Sequence, residues 1–239
     1  MTGSKTLRNV LLATAAMVIS TSAASAANLM VSVNGGGSFT QFEAKDGYTE
    51  SVGNGMVTGL SLGYAFSDRF SVELTGGYRF GYDYKGSNNN ASTNPTAPFP
   101  AGVETKSKVS SFSVIPALRY AFPVSAVKLY GLAGVGMAWN TTSESKISYS
   151  KDTSAITGEF ADKTSSGLAY TAGVGVSYDA TEQLVIDLGY RFTDLGEFQG
   201  GEGTATGTFG PLSQTFAVPA PDARHPVSHE IALTIGYRF

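Results

Sequence analysis

The chain has 239 residues with 16 Lys+Arg against 19 Asp+Glu, a formal net charge of −3, so no basic excess supports a nucleic-acid partner. It holds no cysteine, which excludes disulfides and thiolate metal sites as sources of stability. Charged residues make up 15% and aromatics 11%, with 29 Gly and 12 Tyr; glycine this abundant, mixed with Tyr, Phe, Val and Thr, disfavours helices and suits strands that pass close to one another.

At the N-terminus, Lys5 and Arg8 precede the apolar run Val10 to Ile19, followed by the small-residue site Ala24-Ser25-Ala26. This order predicts a cleaved signal peptide over residues 1–26 and an exported domain over 27–239. The apolar run falls short of the roughly 18 residues a helical span needs, and no second run reaches that length, so helical membrane spans are excluded. Without the leader, 14 basic residues face 19 acidic ones, a net charge of −5.

Eight strands are predicted, at about 29–40, 55–66, 69–82, 108–121, 126–140, 167–178, 183–194 and 227–239, from alternation of period two. The phrase closing the chain, "LTIGYRF" (233–239), has echoes in "LSLGYAF" (60–66), "LTGGYRF" (74–80), "PALRYAF" (116–122) and "IDLGYRF" (186–192). Their connections alternate in kind. The segments 67–69, 123–126 and 179–182 are tight polar turns, whereas 41–54, 83–107, 141–166 and 195–226 are long and rich in Gly, Ser, Asn, Thr or Pro. Short turns at one end and long loops at the other predict an all-β, eight-stranded, antiparallel up-and-down transmembrane β-barrel with both termini on the short-turn side.

A soluble lipocalin-like barrel is the rival reading, and the facing of the strands decides between them. In Phe70-Val72-Leu74 and Leu184-Ile186-Leu188 apolar residues hold one parity, which Tyr78, Phe80, Phe122, Tyr190 and Phe192 extend to the strand ends. That pattern fits a lipid-facing band with aromatic girdles. The opposite parity offers Gly59, Ser61, Gly63, Thr75, Gly77, Gly173 and Gly175 with isolated charges, as a narrow polar lumen requires.

The leader, the eight strands, the four long loops and the terminal "YRF" resemble the OmpA-like, opacity-type family of small outer-membrane β-barrel proteins over the whole exported chain. The resemblance implies a bacterial outer-membrane location, outer-membrane lipids as surroundings, and Tyr237 and Phe239 as the signal read by the barrel-assembly machinery during insertion. It also implies a monomer. No peptidoglycan-binding domain is expected after Phe239.

The inward charges carry the most chemistry. Glu73, Arg119, Asp187 and Arg238 are expected in a lower tier near the short turns, and Arg79, Arg191 and Glu230 in an upper one. Unpaired buried ions are costly, and eight strands leave a lumen that side chains just fill, so these seven are read as a structural plug of ion pairs rather than a gated pore. No cofactor or metal site is expected. Catalysis would need a nucleophile beside a base, yet in Ser228-His229-Glu230 the neighbours alternate faces, with Ser228 and Glu230 inward and His229 outward. "GLAGVG" (131–136) and "NGGGS" (34–38) are read as strand packing rather than phosphate loops. The loops are where a host or environmental ligand would bind, with hemin, host matrix and no ligand at all left open. The functional expectation is therefore a non-enzymatic surface protein for envelope integrity or adhesion, with a small diffusion channel and a lipid-modifying barrel enzyme as alternatives.

Overall fold

In the computed structural model, which describes residues 28–42, 48–88, 100–151, 154–220 and 225–239, the alternating segments are antiparallel strands joined by turns. The expected leader, residues 1–26, lies outside the described residues. In chain order the strands are β1 (Leu29–Phe42), β2 (Tyr48–Val52), β3 (Asn54–Ala65), β4 (Phe70–Asn88), β5 (Glu104–Val124) and β6 (Val127–Lys151). They continue with β7 (Ser154–Phe160), β8 (Lys163–Asp179), β9 (Leu184–Asp194), β10 (Gly203–Phe209), β11 (Leu212–Val218) and β12 (Pro226–Arg238).

Eight of them close on themselves. Successive pairings run β1–β3–β4–β5–β6–β8–β9–β12, and β12 pairs back to β1. Following register partners once around, from Leu29 through Tyr64, Val72, Leu118, Ala133, Ala172, Phe192 and His229, returns to Phe39, ten residues from the start. A stagger of that size over eight strands tilts them by about 40° from the barrel axis. With ring closure no sheet edge faces lipid along the spanning strands, and the backbone pairs around the ring, interrupted on the β5–β6 seam at Pro116, which has no N–H to donate.

The two faces are inverted relative to a water-soluble protein. Large apolar side chains such as Leu62, Leu74, Leu118, Val174, Leu188 and Ile235 are exposed on the outside, while Ser32, Asn34, Ser61, Glu73, Arg79, Ser113 and Asp187 are buried within. Aromatic residues cap the apolar band at both ends. Tyr64, Phe70, Tyr120, Phe122, Tyr178 and Tyr237 stand near the short turns, and Phe39, Phe80, Phe112, Trp139, Tyr170 and Tyr190 at the opposite level. Ten residues separate Phe112 from Phe122 along β5, roughly 25 Å along the barrel axis at this tilt, which matches the apolar height of outer-membrane barrels.

Several inward glycines are required by close approach. A Cβ on Gly36 would strike the carbonyl of Ile231 across the β1–β12 seam, and one on Gly136 would strike the carbonyl of Val114 across β5–β6. The glycine-rich segments 34–38 and 131–136 are therefore strand packing.

The structure corrects the expected loops. Strands β4 and β6 run well past the predicted ends at 82 and 140, β5 begins at Glu104 before the predicted start at 108, and β2, β7, β10 and β11 form within segments expected to lack regular structure. Beyond the aromatic ring the wall continues in the order β11-β10-β7-β6-β5-β4, with β2 also on β4. An apolar cluster of Val103, Ile147, Ile156, Ala205 and Val218, packed on by Tyr149, Phe160 and Phe216, holds it together. Burying each such aliphatic side chain is worth about 1.5–3 kcal/mol. Two bulges mark the entry to this extension. The β4–β5 register shifts between Arg79 and Tyr82, with Gly81 at φ 85°, and the β5–β6 register shifts opposite Glu144, at φ 51°. An extra residue reverses the faces of all that follow, so β4 turns odd residues inward up to Arg79 and even ones from Tyr82 onward.

Candidate functional site, the lumen

Seven ionised side chains were expected to fill the barrel interior. All seven face inward, but their grouping differs from the expectation.

At the lower level, Asp187 on β9 is held by three donors. Arg119 Nη2 donates to its Oδ2 at 2.8 Å, Ser177 Oγ to the same oxygen at 2.8 Å, and Tyr130 Oη to Oδ1 at 2.6 Å. The Arg119 guanidinium lies 3.6 Å from the centroid of the Tyr130 ring, a cation–π contact. Arg119 also reaches Glu73 on β4 at 3.8 Å, while Arg191 Nη2 donates to Glu73 Oε1 at 2.9 Å and Thr75 Oγ1 donates to the same atom at 2.7 Å. Glu73 and Asp187 are each 5% exposed, so two carboxylates and two guanidiniums neutralise one another with little access to solvent. Tyr130 fits because its ring lies over Gly175 and its hydroxyl over Gly189, where any side chain would collide with it.

At the upper level, Arg79 Nε pairs with Glu230 and Arg79 Nη1 donates to Ser113 Oγ at 2.8 Å. Ser228 Oγ donates to Glu230 Oε1 at 3.1 Å, Ser38 and Ser228 share a hydrogen bond of 2.6 Å, and Tyr82 donates to Ser38. This hydroxyl chain joins β4, β1 and β12 to the ion pair.

Two placements are corrected. Arg238 was expected beside Glu73 and Asp187, yet it pairs with Asp179 at 3.0 Å, and Lys128 Nζ meets the same carboxylate at 2.7 Å. The register explains this: on β12 the residue opposite Asp187 is Thr234, and Arg238 lies four residues nearer the rim. Arg191 was expected in the upper tier, yet it pairs with Glu73 of the lower one, because its long stem bridges the levels. Tyr130, Lys128 and Asp179 were not singled out from sequence. Tyr130 and Lys128 share the even, inward parity of Gly134 and Gly136 on the same strand, which was the available signal. Tyr82 and Ser38 were missed as well, and the bulge at Gly81 conceals the inward facing of Tyr82.

The spaces left are uneven. A vestibule of about 410 Å³ opens at the short-turn end, bounded by Asp68, Arg69, Asp179 and Arg238 at the mouth and by Glu73 and Arg119 at its floor. Beyond that floor, between the two tiers, are gaps of about 20 Å³ each, room for about one water apiece.

Tyr237 and Phe239 are exposed on the outer face and make an edge-to-face pair with centroids 5.1 Å apart. Ser228 and Glu230 are buried inside. His229 points outward, where its Nδ1 shares a hydrogen bond of 2.7 Å with Tyr190 Oη and its ring meets Phe192 edge-on. These three neighbours form no relay. Among the described residues no cluster of His, Asp or Glu is arranged to hold a metal ion.

The family model described as outer membrane protein beta-barrel domain matches residues 11–239. Among solved structures, the chain is similar to Neisserial surface protein A, at 15% identity and TM-score 0.48 over 88% of this chain and 97% of that one. It is also similar to the attachment invasion locus protein Ail of Yersinia pestis, at 14% identity and TM-score 0.43 over 89% and 99%. A third is the outer membrane protein OprG from Pseudomonas aeruginosa, at 16% identity and TM-score 0.46 over 89% and 96%. No curated protein matches the chain in sequence. The ring closes with its apolar side chains outside and its charges inside, and over nearly its whole length the chain belongs to the outer-membrane β-barrel protein family.

Proposed function

We propose that the protein is a non-enzymatic surface protein, a plugged barrel that holds a rigid β-sheet platform outside the membrane for adhesion or envelope integrity. The observation that carries this reading is the extension itself. Four extra strands and a dedicated apolar cluster order the segments in which a coating with no partner would need no such core. The filling of the lumen by side chains that satisfy one another supports a structural role for the barrel.

A small diffusion channel is the second reading, and the open vestibule favours it. Against it stand the two ion-pair tiers and the small spaces between them.

The platform reading is tested by excising the β10–β11 hairpin, residues 203–218, and joining its ends with a short Gly-Ser linker. Barrel assembly, read as heat-modifiable migration in the outer-membrane fraction, should persist, because no spanning strand loses a partner. Adherence of intact cells to host matrix should fall. Unchanged adherence with normal surface display would contradict the platform reading.

A further inference from the structure

We propose that the edge strand β11 is a docking site for the same strand of a second copy of this chain, the two pairing antiparallel about Thr215. The sheet of the extension ends on β11, whose only strand partner among the described residues is β10. In an antiparallel ladder alternate residues turn N–H and C=O to opposite sides, so β11 presents a row of unpaired backbone donors and acceptors on its free side. Native sheets blunt such edges with charged side chains, proline or a bulge. Over its seven residues β11 has none of these: "LSQTFAV" is uncharged, and its register to β10 is unbroken from Leu212 to Val218. β10 is uncharged as well, and the first charge met across the sheet is Glu159 on β7.

The side chains of β11 select the strand itself as the partner. Pairing centred on Thr215 sets that residue opposite its own copy, Ser213 opposite Ala217, Gln214 opposite Phe216 and Leu212 opposite Val218, and no like charges meet in this register. Leu212, Gln214, Phe216 and Val218 share one face, on which Val218 and Phe216 pack into the apolar cluster of the extension. Leu212 is 72% exposed, more than any other large apolar side chain described. Beside the copy's Val218 it is covered, and it extends the copy's cluster across the seam.

The same edge limits the assembly to two copies. Pro211 and Pro219 flank the strand and have no N–H to donate, so the ladder cannot lengthen at either end. Each copy spends its one free β11 edge on the other, an isologous contact that closes as a dimer and does not propagate. The inference rests on the platform reading of the extension and deepens it by naming the partner.

The test uses the full chain folded in detergent micelles. It has no cysteine, so a single introduced thiol reports the register. Thr215→Cys should cross-link to a dimer under mild oxidation, because directly opposed residues of an antiparallel pair fall within the Cα spacing of about 4.4–6.8 Å that a disulfide spans. Ser213→Cys alone should cross-link roughly tenfold more slowly, since its own copy lies four residues along the ladder, roughly 14 Å away. An equimolar mixture of Ser213→Cys and Ala217→Cys should match Thr215→Cys. Thr215 is exposed, so Thr215→Lys should keep a heat-modifiable barrel while weakening dimerisation roughly fivefold in sedimentation, and mixing it with Thr215→Glu should restore the dimer. Cross-linking of Thr215→Cys no faster than that of Ser213→Cys, or dimerisation that Thr215→Lys leaves unaltered, would overturn the proposal. These readouts come from purified protein, so their failure removes the second copy as partner, whereas matrix adherence after excision of residues 203–218 judges the platform reading separately.

Discussion

Glu230 and Glu73 are both buried carboxylates of the lumen, yet they keep different company. Arg79 is the only ion-pair partner of Glu230 among the described residues, with Ser228 as a neutral donor. Glu73 has Arg191, Arg119 and Thr75, and Asp187 would keep Tyr130 and Ser177 without Arg119. Removing one partner of a buried pair costs about 3–5 kcal/mol. Arg79→Ala is therefore expected at the upper end of that range and Arg119→Ala at the lower, as read by urea unfolding in lipid vesicles; the reverse order would contradict this division of partners. At the rim, burial alone would raise the Asp179 carboxyl, but hydrogen bonds from Lys128 and Arg238 more than offset it and hold the group below its ordinary value. A carboxyl depressed in the folded state adds stability above its unfolded pKa of about 3.9 and loses it as pH falls through the lower folded value. The stability gap between wild type and Asp179→Asn should thus be constant near neutrality and shrink below about pH 4. A gap that stays constant from pH 7 to pH 3 would count against the pairing.

Along each spanning strand, one parity meets lipid and the other meets the lumen, and a pair of substitutions reads this directly. Ile186 on β9 is outward and Thr75 on β4 inward, hydrogen-bonded to Glu73 and Ser61. Ile186→Arg should cost about 2–4 kcal/mol near the bilayer midplane, whereas Thr75→Arg adds bulk and charge where carboxylates already lie. Refolding yields into vesicles should be lower for Ile186→Arg, and equal losses would refute the facing. The eight spanning strands were legible in the sequence because lipid and lumen impose opposite chemistries on alternate residues, as in Leu184-Ile186-Leu188 against Asp187 and Gly189. The extension was not. Its strands carry few large apolar residues, as in "GTATGTF", which sets Thr on one face and Gly or Ala on the other, and the bulges at Gly81 and Glu144 reverse parity where a reader would carry it forward. Pairing within the lumen was only partly legible, since parity gives facing while stagger and side-chain reach decide which charges meet. Arg238 and Arg191 were misplaced for that reason, and Tyr130 was passed over because an inward aromatic in a small barrel is recognisable only beside the glycines that make room for it.

For the whole molecule, the ring of eight strands, the apolar band and the filled lumen form one arrangement, in which the charges that would be costly in lipid are turned inward and spent on each other. The central claim is that this network closes the barrel between the vestibule and the outside. Single-channel recording in planar bilayers tests it most directly. The unmodified protein should show no steady openings and only small, brief current, while Arg119→Ala, which breaks the floor of the vestibule, should raise the conductance measurably. Large, steady conductance from the unmodified protein, unaltered by Arg119→Ala, would contradict the account.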